Sequence, residues 1–188
     1  MRKLRNIGKQ LAKEIQDNPS KVDWDVLSRC YKLSEEFITQ YHEYVIWGDI
    51  WTHQQLSEEF IRAWYSYRAL FPWSMISRYQ KLSEDFIEQC ADVVDWDIIS
   101  CYQKLSEEFI IKHSDRMYWP YISMYQRLSE EFIVQHQATI DWDDVSRYQR
   151  LSKGFILNNL TRLNLEVIQA RYPTIYERYQ LDMYERLT

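Results

Sequence analysis

The sequence predicts an all-α chain: a solenoid of about six two-helix repeats of 23 residues, with a capping helix at each end. Three observations carry this. A Trp falls at 24, 47, 73, 96, 119 and 142, and a Leu-Ser pair follows nine residues later at 33, 56, 82, 105, 128 and 151; every step is 23 residues except one of 26, between Trp47 and Trp73. A fixed short period is the signature of a repeat architecture. Each unit also holds two helix-start signals, and Gly 3 and Pro 4 are too few for a β-rich protein or a flexible linker.

Within a unit the first start signal is Asp-Trp-Asp, as at Asp95, Trp96 and Asp97 or at Asp141–Asp143. An Asp there caps free backbone N–H groups, and acids in the first turn favour the positive end of the helix dipole. The second is Ser-Glu-Glu-Phe, in which Ser106 caps and Glu107 and Glu108 fill the first turn. Helices of roughly eight to ten residues are too short to persist alone in water. Stacking on neighbouring repeats has to supply their burial.

The columns of the repeat separate core from surface. Three residues after each Trp stands Leu27, Ile50, Ile76, Ile99, Ile122 or Val145, always aliphatic and so core. Phe-Ile recurs at 37/38, 60/61, 86/87, 109/110, 132/133 and 155/156. Ser28, Ser77, Ser100, Ser123 and Ser146 share one column, small enough for close helix approach, with Trp51 as its exception. Arg29, Thr52, Arg78, Cys101, Met124 and Arg147 share a column and no chemistry, which predicts exposure.

In chain order, residues 1–22 read as an N-terminal cap with a helix over roughly Lys3–Asp17, its stripe Ile7, Leu11 and Ile15. Residues 23–163 hold the six repeats. Residues 164–188 hold a degenerate seventh from Leu165 and a last helix over Thr174–Arg186. Hydrophobic content of 46% rules out a disordered chain. No apolar run approaches the roughly 20 residues that span a bilayer, and the basic N-terminus lacks the apolar centre of a signal peptide, so no membrane partner is expected. Three cysteines, Cys30, Cys90 and Cys101, form no disulfide framework and point to a cytoplasmic, reducing compartment. A net charge of −5 disfavours nonspecific binding to nucleic acid.

The string LSEEFI…DW..IS.YQ[KR], with LSEEFI itself at 33–38, 56–61, 105–110 and 128–133, resembles the tandem repeats of uncharacterised proteins from large DNA viruses and phages. The resemblance covers about residues 23–163. It implies a helical-repeat protein of viral type and supplies no catalytic residues; Gly48, Trp51, Lys153 and Gly154 depart from the pattern.

The chain has no Gly-flanked Ser elbow, phosphate loop, His-Glu-x-x-His or Cys-x-x-Cys, so neither enzymatic activity nor a cofactor is expected. Cys90, His113 and His136 share a column that zinc could use only in a tight stack, and it reads rather as semi-buried packing. Glu35/Glu36, Glu58/Glu59, Glu84/Asp85, Glu107/Glu108 and Glu130/Glu131 make an acidic ladder. It reads as dipole complementation, partly neutralised by Lys32, Lys81, Lys104, Arg127 and Arg150, and alternatively as mimicry of a nucleic-acid backbone. Tyr79, Tyr102, Tyr125 and Tyr148 read as core packing with a hydroxyl at the rim, and alternatively as base-stacking platforms.

The second repeat is where regularity fails, with three extra residues within Tyr65–Ala69 and a concentration of aromatics. Insertions in repeats map to loops on one face, often the binding face. Trp51, Trp64, Tyr65, Tyr67 and Arg68 are therefore the candidate partner-binding residues. The function expected is a non-enzymatic scaffold that binds a protein partner, a host protein if the chain is viral. The alternative is a nucleic-acid mimic or nucleic-acid-binding protein using the acidic ladder or the Tyr column.

Overall fold

The computed structural model describes residues 4–65 and 71–187, the last seven of these by their backbone alone. Among the described residues the regular structure is helical, apart from one isolated parallel bridge between Arg5 and Tyr31. Two compact units divide at Asp95 and Trp96. The first contains α1 (Lys9–Asp17), a short 3-10 turn (Pro19–Lys21), and three helix pairs: α2 (Trp24–Cys30) with α3 (Glu35–Gln40), α4 (Trp47–His53) with α5 (Glu58–Tyr65), and α6 (Trp73–Tyr79) with α7 (Glu84–Gln89). The second contains α8 (Trp96–Tyr102) with α9 (Glu107–Lys112), α10 (Trp119–Tyr125) with α11 (Glu130–Gln135), and α12 (Trp142–Tyr148) with α13 (Lys153–Asn158). It ends in α14 (Leu165–Arg171) and α15 (Pro173–Leu187).

The first helices of successive pairs pack on one another: α2 on α4 and α4 on α6 in the first unit, α8 on α10 on α12 on α14 in the second. This is the helical-repeat solenoid that the period predicts. Side-chain caps start most of the helices, while α1, α4, α6 and α10 begin without one. Asp23 and Asp141 accept from Val26 N and Asp144 N, and Ser34, Ser57, Ser83, Ser106, Ser129 and Ser152 accept from the Phe amide three residues on at 3.1–3.2 Å. The Trp of the repeat fastens the preceding turn as well as packing: Trp24, Trp47, Trp119 and Trp142 donate from the indole to the carbonyl five residues earlier at 2.7–3.2 Å.

The core is the aliphatic residue of the first helix and the Phe-Ile of the second, with the Leu of each Leu-Ser pair; Ile38, Ile50, Ile61, Ile76, Ile87, Ile99, Ile110, Ile122 and Ile133 are fully enclosed. A further column closes it two residues before the first helices: Val45, Val94, Met117, Ile140 and Leu163 are buried, and Val22 and Phe71 half-buried.

The N-terminus differs from the sequence reading. Helix α1 begins at Lys9, not near Lys3, with Gly8 extended as its N-cap and Ile7 outside the helix. The segment before it pairs with the first repeat instead, Arg5 N donating to Cys30 O (2.9 Å) and Lys32 N to Arg5 O (2.7 Å). Those two bonds satisfy backbone groups that no earlier repeat covers.

Candidate functional site

A buried lattice of polar side chains accounts for most of the repeated polar residues. Gln54, Gln80, Gln126 and Gln149 each reach back one repeat. Gln126 accepts from Leu105 N (3.1 Å) and donates to Ser100 O and Gln103 O, both at 2.8 Å. Gln149 does the same to Leu128, Ser123 and Gln126, and Gln54 and Gln80 repeat it in the first unit. One primary amide thereby satisfies three buried backbone groups. At the last repeat Arg171 takes over the donor role, bonding Ser146 O and Gln149 O, while the Tyr172 hydroxyl accepts from Leu151 N.

The serine column is part of the same lattice. Ser28, Ser77, Ser100, Ser123 and Ser146 accept from the backbone N–H of Ile46, Asp95, Tyr118, Asp141 and Asn164, eighteen residues on, at 2.9–3.4 Å. Ser100, Ser123 and Ser146 donate in turn to the Trp carbonyl one turn back. These hydroxyls are fully buried and committed on both sides.

The acidic ladder divides in two. In four of the five pairs the first acid spans to the next repeat: both oxygens of Glu35, Glu58, Glu107 and Glu130 accept from the N–H and hydroxyl of Ser57, Ser83, Ser129 and Ser152. The second acids, Glu36, Glu59, Asp85, Glu108 and Glu131, are exposed. The Glu36 carboxyl lies below its ordinary range because backbone N–H groups and then Ser34 bond it. The basic residues expected to neutralise the ladder do not: Lys32, Lys81, Lys104, Arg127 and Arg150 form no ion pair with described residues. The ladder acids bond Ser instead.

At the second repeat the structure corrects the aromatic patch. Trp51 is 1% exposed and belongs to the core, stacked on Trp47 at 5.2 Å and edge-on to Phe71 at 5.2 Å, so it cannot touch a partner. Trp64 is half-buried against Trp47 at 4.4 Å, and Tyr65, 42% exposed, leans on Phe71 and Trp73. Tyr67 and Arg68 lie outside the described residues.

Among the described residues the most exposed aromatic side chains are instead in the second unit. Tyr102, Tyr125 and Tyr148 are 49%, 54% and 52% exposed, one at the end of each first helix. They are therefore not packed in the core with only a hydroxyl showing. Partial desolvation, then the neighbouring Cys101, Tyr148, Tyr102 and Tyr121, hold the Tyr125 phenol above the ordinary tyrosine range. The Tyr121 ring meets Tyr118 at 4.6 Å and Tyr125 at 5.8 Å. An open groove beside Tyr125 and Tyr148 is lined by Met124, Arg127, Arg150, Glu107 and Glu130. The column itself repeats in the sequence, and the signal there for outward-facing rings is the cation two residues after each Tyr, which is hard to seat beside a buried ring.

Among the described residues no cluster of His, Cys, Asp and Glu is placed to hold a metal ion. His113 and His136 stack in their own repeats, His113 on Phe109 (4.5 Å) and Trp96 (4.9 Å), His136 on Phe132 (4.4 Å) and Trp119 (5.5 Å). No helix of the described residues is long and apolar enough to cross a membrane. No family model, curated protein or solved structure matches this chain.

Proposed function

We propose that this chain is a non-enzymatic helical-repeat scaffold that binds a protein partner along the column Tyr102, Tyr125 and Tyr148. The observation that carries the reading is three half-exposed tyrosines, one per repeat, on repeats whose buried polar side chains all have partners among the described residues. Tyr and Arg are enriched where binding energy concentrates, because a large rigid ring buries area at low entropic cost. The serines and glutamines that repeat are consumed by the fold, which supports a binding role over a chemical one. The likeness of the repeats to viral and phage tandem-repeat proteins supports a host protein as the partner, a defence protein among the candidates. The three unbridged cysteines support a cytoplasmic setting.

The test is the triple substitution Tyr102→Ser, Tyr125→Ser and Tyr148→Ser, compared with the parent in capture from host lysate and by circular dichroism. Loss of the captured proteins with an unchanged helical spectrum supports the reading. Retention of the same proteins by the variant removes the column from the interface.

A second reading has its own observation. Lys104, Arg127 and Arg150 follow the three tyrosines and are exposed, an alternation of rings and cations that also suits single-stranded nucleic acid. Steeply salt-dependent binding of an oligonucleotide would favour it.

A further inference from the structure

We infer that the tyrosine column takes an extended acidic segment of its partner, laid across successive repeats so that one carboxylate meets each of Lys104, Arg127 and Arg150. The inference rests on the reading of the chain as a protein-binding scaffold and adds the chemistry of what it binds. The three cations are exposed, stand at one position of three consecutive repeats, and form no ion pair with described residues. The acids that share a groove with Arg127 and Arg150, Glu107 and Glu130, have both carboxylate oxygens turned onto Ser129 and Ser152. The carboxylates built into the groove thus serve the fold, and the cations beside them are left for an incoming anion. Electrostatic complementarity of this kind selects partners and register.

The spacing favours a peptide. Packed helices lie about 8–10 Å apart, and a segment extended as polyproline II rises about 3.1 Å per residue with three residues per turn, so every third side chain lies on one face and comes opposite a new repeat. Acidic side chains three apart would meet the cations in turn, and the residues between would lie on the exposed faces of Tyr125 and Tyr148. A nucleic-acid backbone fits less well. The exposed Glu108 and Glu131 stand in the first turn of the helices that follow Lys104 and Arg127, and the whole chain carries a net charge of −5. A continuous phosphate chain cannot avoid those acids, whereas a peptide carrying acids only at chosen positions can.

The experiment displays random peptides of about twelve residues, long enough to span three repeats at that rise, against the intact chain. It is repeated against the double variant Arg127→Glu/Arg150→Glu and against Arg127→Lys/Arg150→Lys, each checked for an unchanged helical spectrum. Fluorescence anisotropy then measures the best peptide and an oligouridylate of similar length. The result expected is a pool enriched in Asp and Glu spaced three apart, with affinity falling by about tenfold or more on charge reversal and largely kept by the lysine variant. A pool without acidic excess, or one whose affinity ignores the charge reversal, overturns the inference. Tighter binding of the oligouridylate than of any selected peptide, with competition between them, also overturns it and assigns the column to nucleic acid. The two readings fail separately: if the selected peptides are not acidic while the triple Tyr→Ser variant still loses its captured proteins, the scaffold stands and only the acidic occupant falls.

Discussion

Trp51 occupies the acceptor position, and Pro72 the donor position, of a hydrogen bond that five other repeats make between a buried Ser and the residue preceding the next first helix. A Ser at 51 would find no N–H at 72, and an N–H at 72 would find no hydroxyl at 51. The two exceptions cancel, and the indole is buried against Phe71 instead. Trp51→Ser should therefore destabilise by about 3–5 kcal/mol, as for emptying an aromatic site in a core, measured by urea denaturation. Pro72→Asp alone should also destabilise, since its new N–H lacks a partner. Combined, the two should recover about 0.5–1.5 kcal/mol relative to additivity, the net worth of one hydrogen bond. The backbone at Pro72 (φ −82°) already lies near that of the Asp caps at 23 and 141 (φ −76° and −88°), so the replacement demands no new conformation. Strict additivity would sink the account.

Gln126 makes a sharper demand. Its amide is the partner of Leu105 N, Ser100 O and Gln103 O, all on buried residues. Gln126→Leu keeps much of the volume and orphans all three groups, each costing about 1–3 kcal/mol, so a loss of at least about 3 kcal/mol is expected. The neighbouring surface change Tyr125→Ser should cost no more than about 0.5 kcal/mol. Native-state hydrogen exchange gives an independent reading, with the Leu105 amide losing protection in the Gln126 variant. Near-equal stability of Gln126→Leu and the parent would mean that the lattice contributes nothing.

The apolar frame was legible in the sequence because identity itself repeats: Trp, Phe-Ile and Leu-Ser each return in step, and burial of those residues depends only on their own column. The lattice was less legible. Gln103, Gln126 and Gln149 stand beside an exposed Tyr, and nothing local distinguishes a glutamine facing water from one bonded to backbone 21–26 residues away. The ladder acids were rightly placed in first turns, but the reach of Glu130 to Ser152 is a contact between repeats. At Trp51 the break in pattern was visible and its direction was not, because the compensating residue is Pro72, just ahead of the following repeat. At the N-terminus the spacing of Ile7, Leu11 and Ile15 suggested one longer helix; the signal against it was Gly8, a poor helix residue now seen as the N-cap.

The two acids of a ladder pair should respond differently. Glu130 holds Ser152 through both oxygens, one bond to the hydroxyl at 3.0 Å, whereas Glu131 faces solvent. Glu130→Gln removes the charge from these bonds and replaces one acceptor by a donor facing an N–H; about 1 kcal/mol of loss is expected, modest because the site is half-exposed. Glu131→Gln should fall within about 0.5 kcal/mol of the parent. Equal effects from the two substitutions would return the ladder to a simple interaction with the helix dipole.

The last expectation concerns pH. Asp144 sits in the first turn of α12, and its carboxyl is raised above the ordinary Asp value, first by burial and then by Asp141 and Asp143, with Arg147 opposing. A raised folded-state value means that the folded chain binds this proton more tightly than the unfolded chain does. Stability attributable to the group therefore falls as pH rises from the ordinary carboxylate range through the raised value, and at neutral pH the ionised form is a net cost. Asp144→Asn removes that titration. The variant should melt above the parent at neutral pH, and the gap should shrink as pH is lowered to about 4, near the unperturbed Asp value where both states of the parent take up the proton. Arg147→Gln should move the parent the other way at neutral pH by withdrawing the one opposing charge. Melting curves across that range decide it: a gap that widens on acidification, or an Asp144→Asn variant no more stable than the parent at neutral pH, contradicts a raised carboxyl at this position.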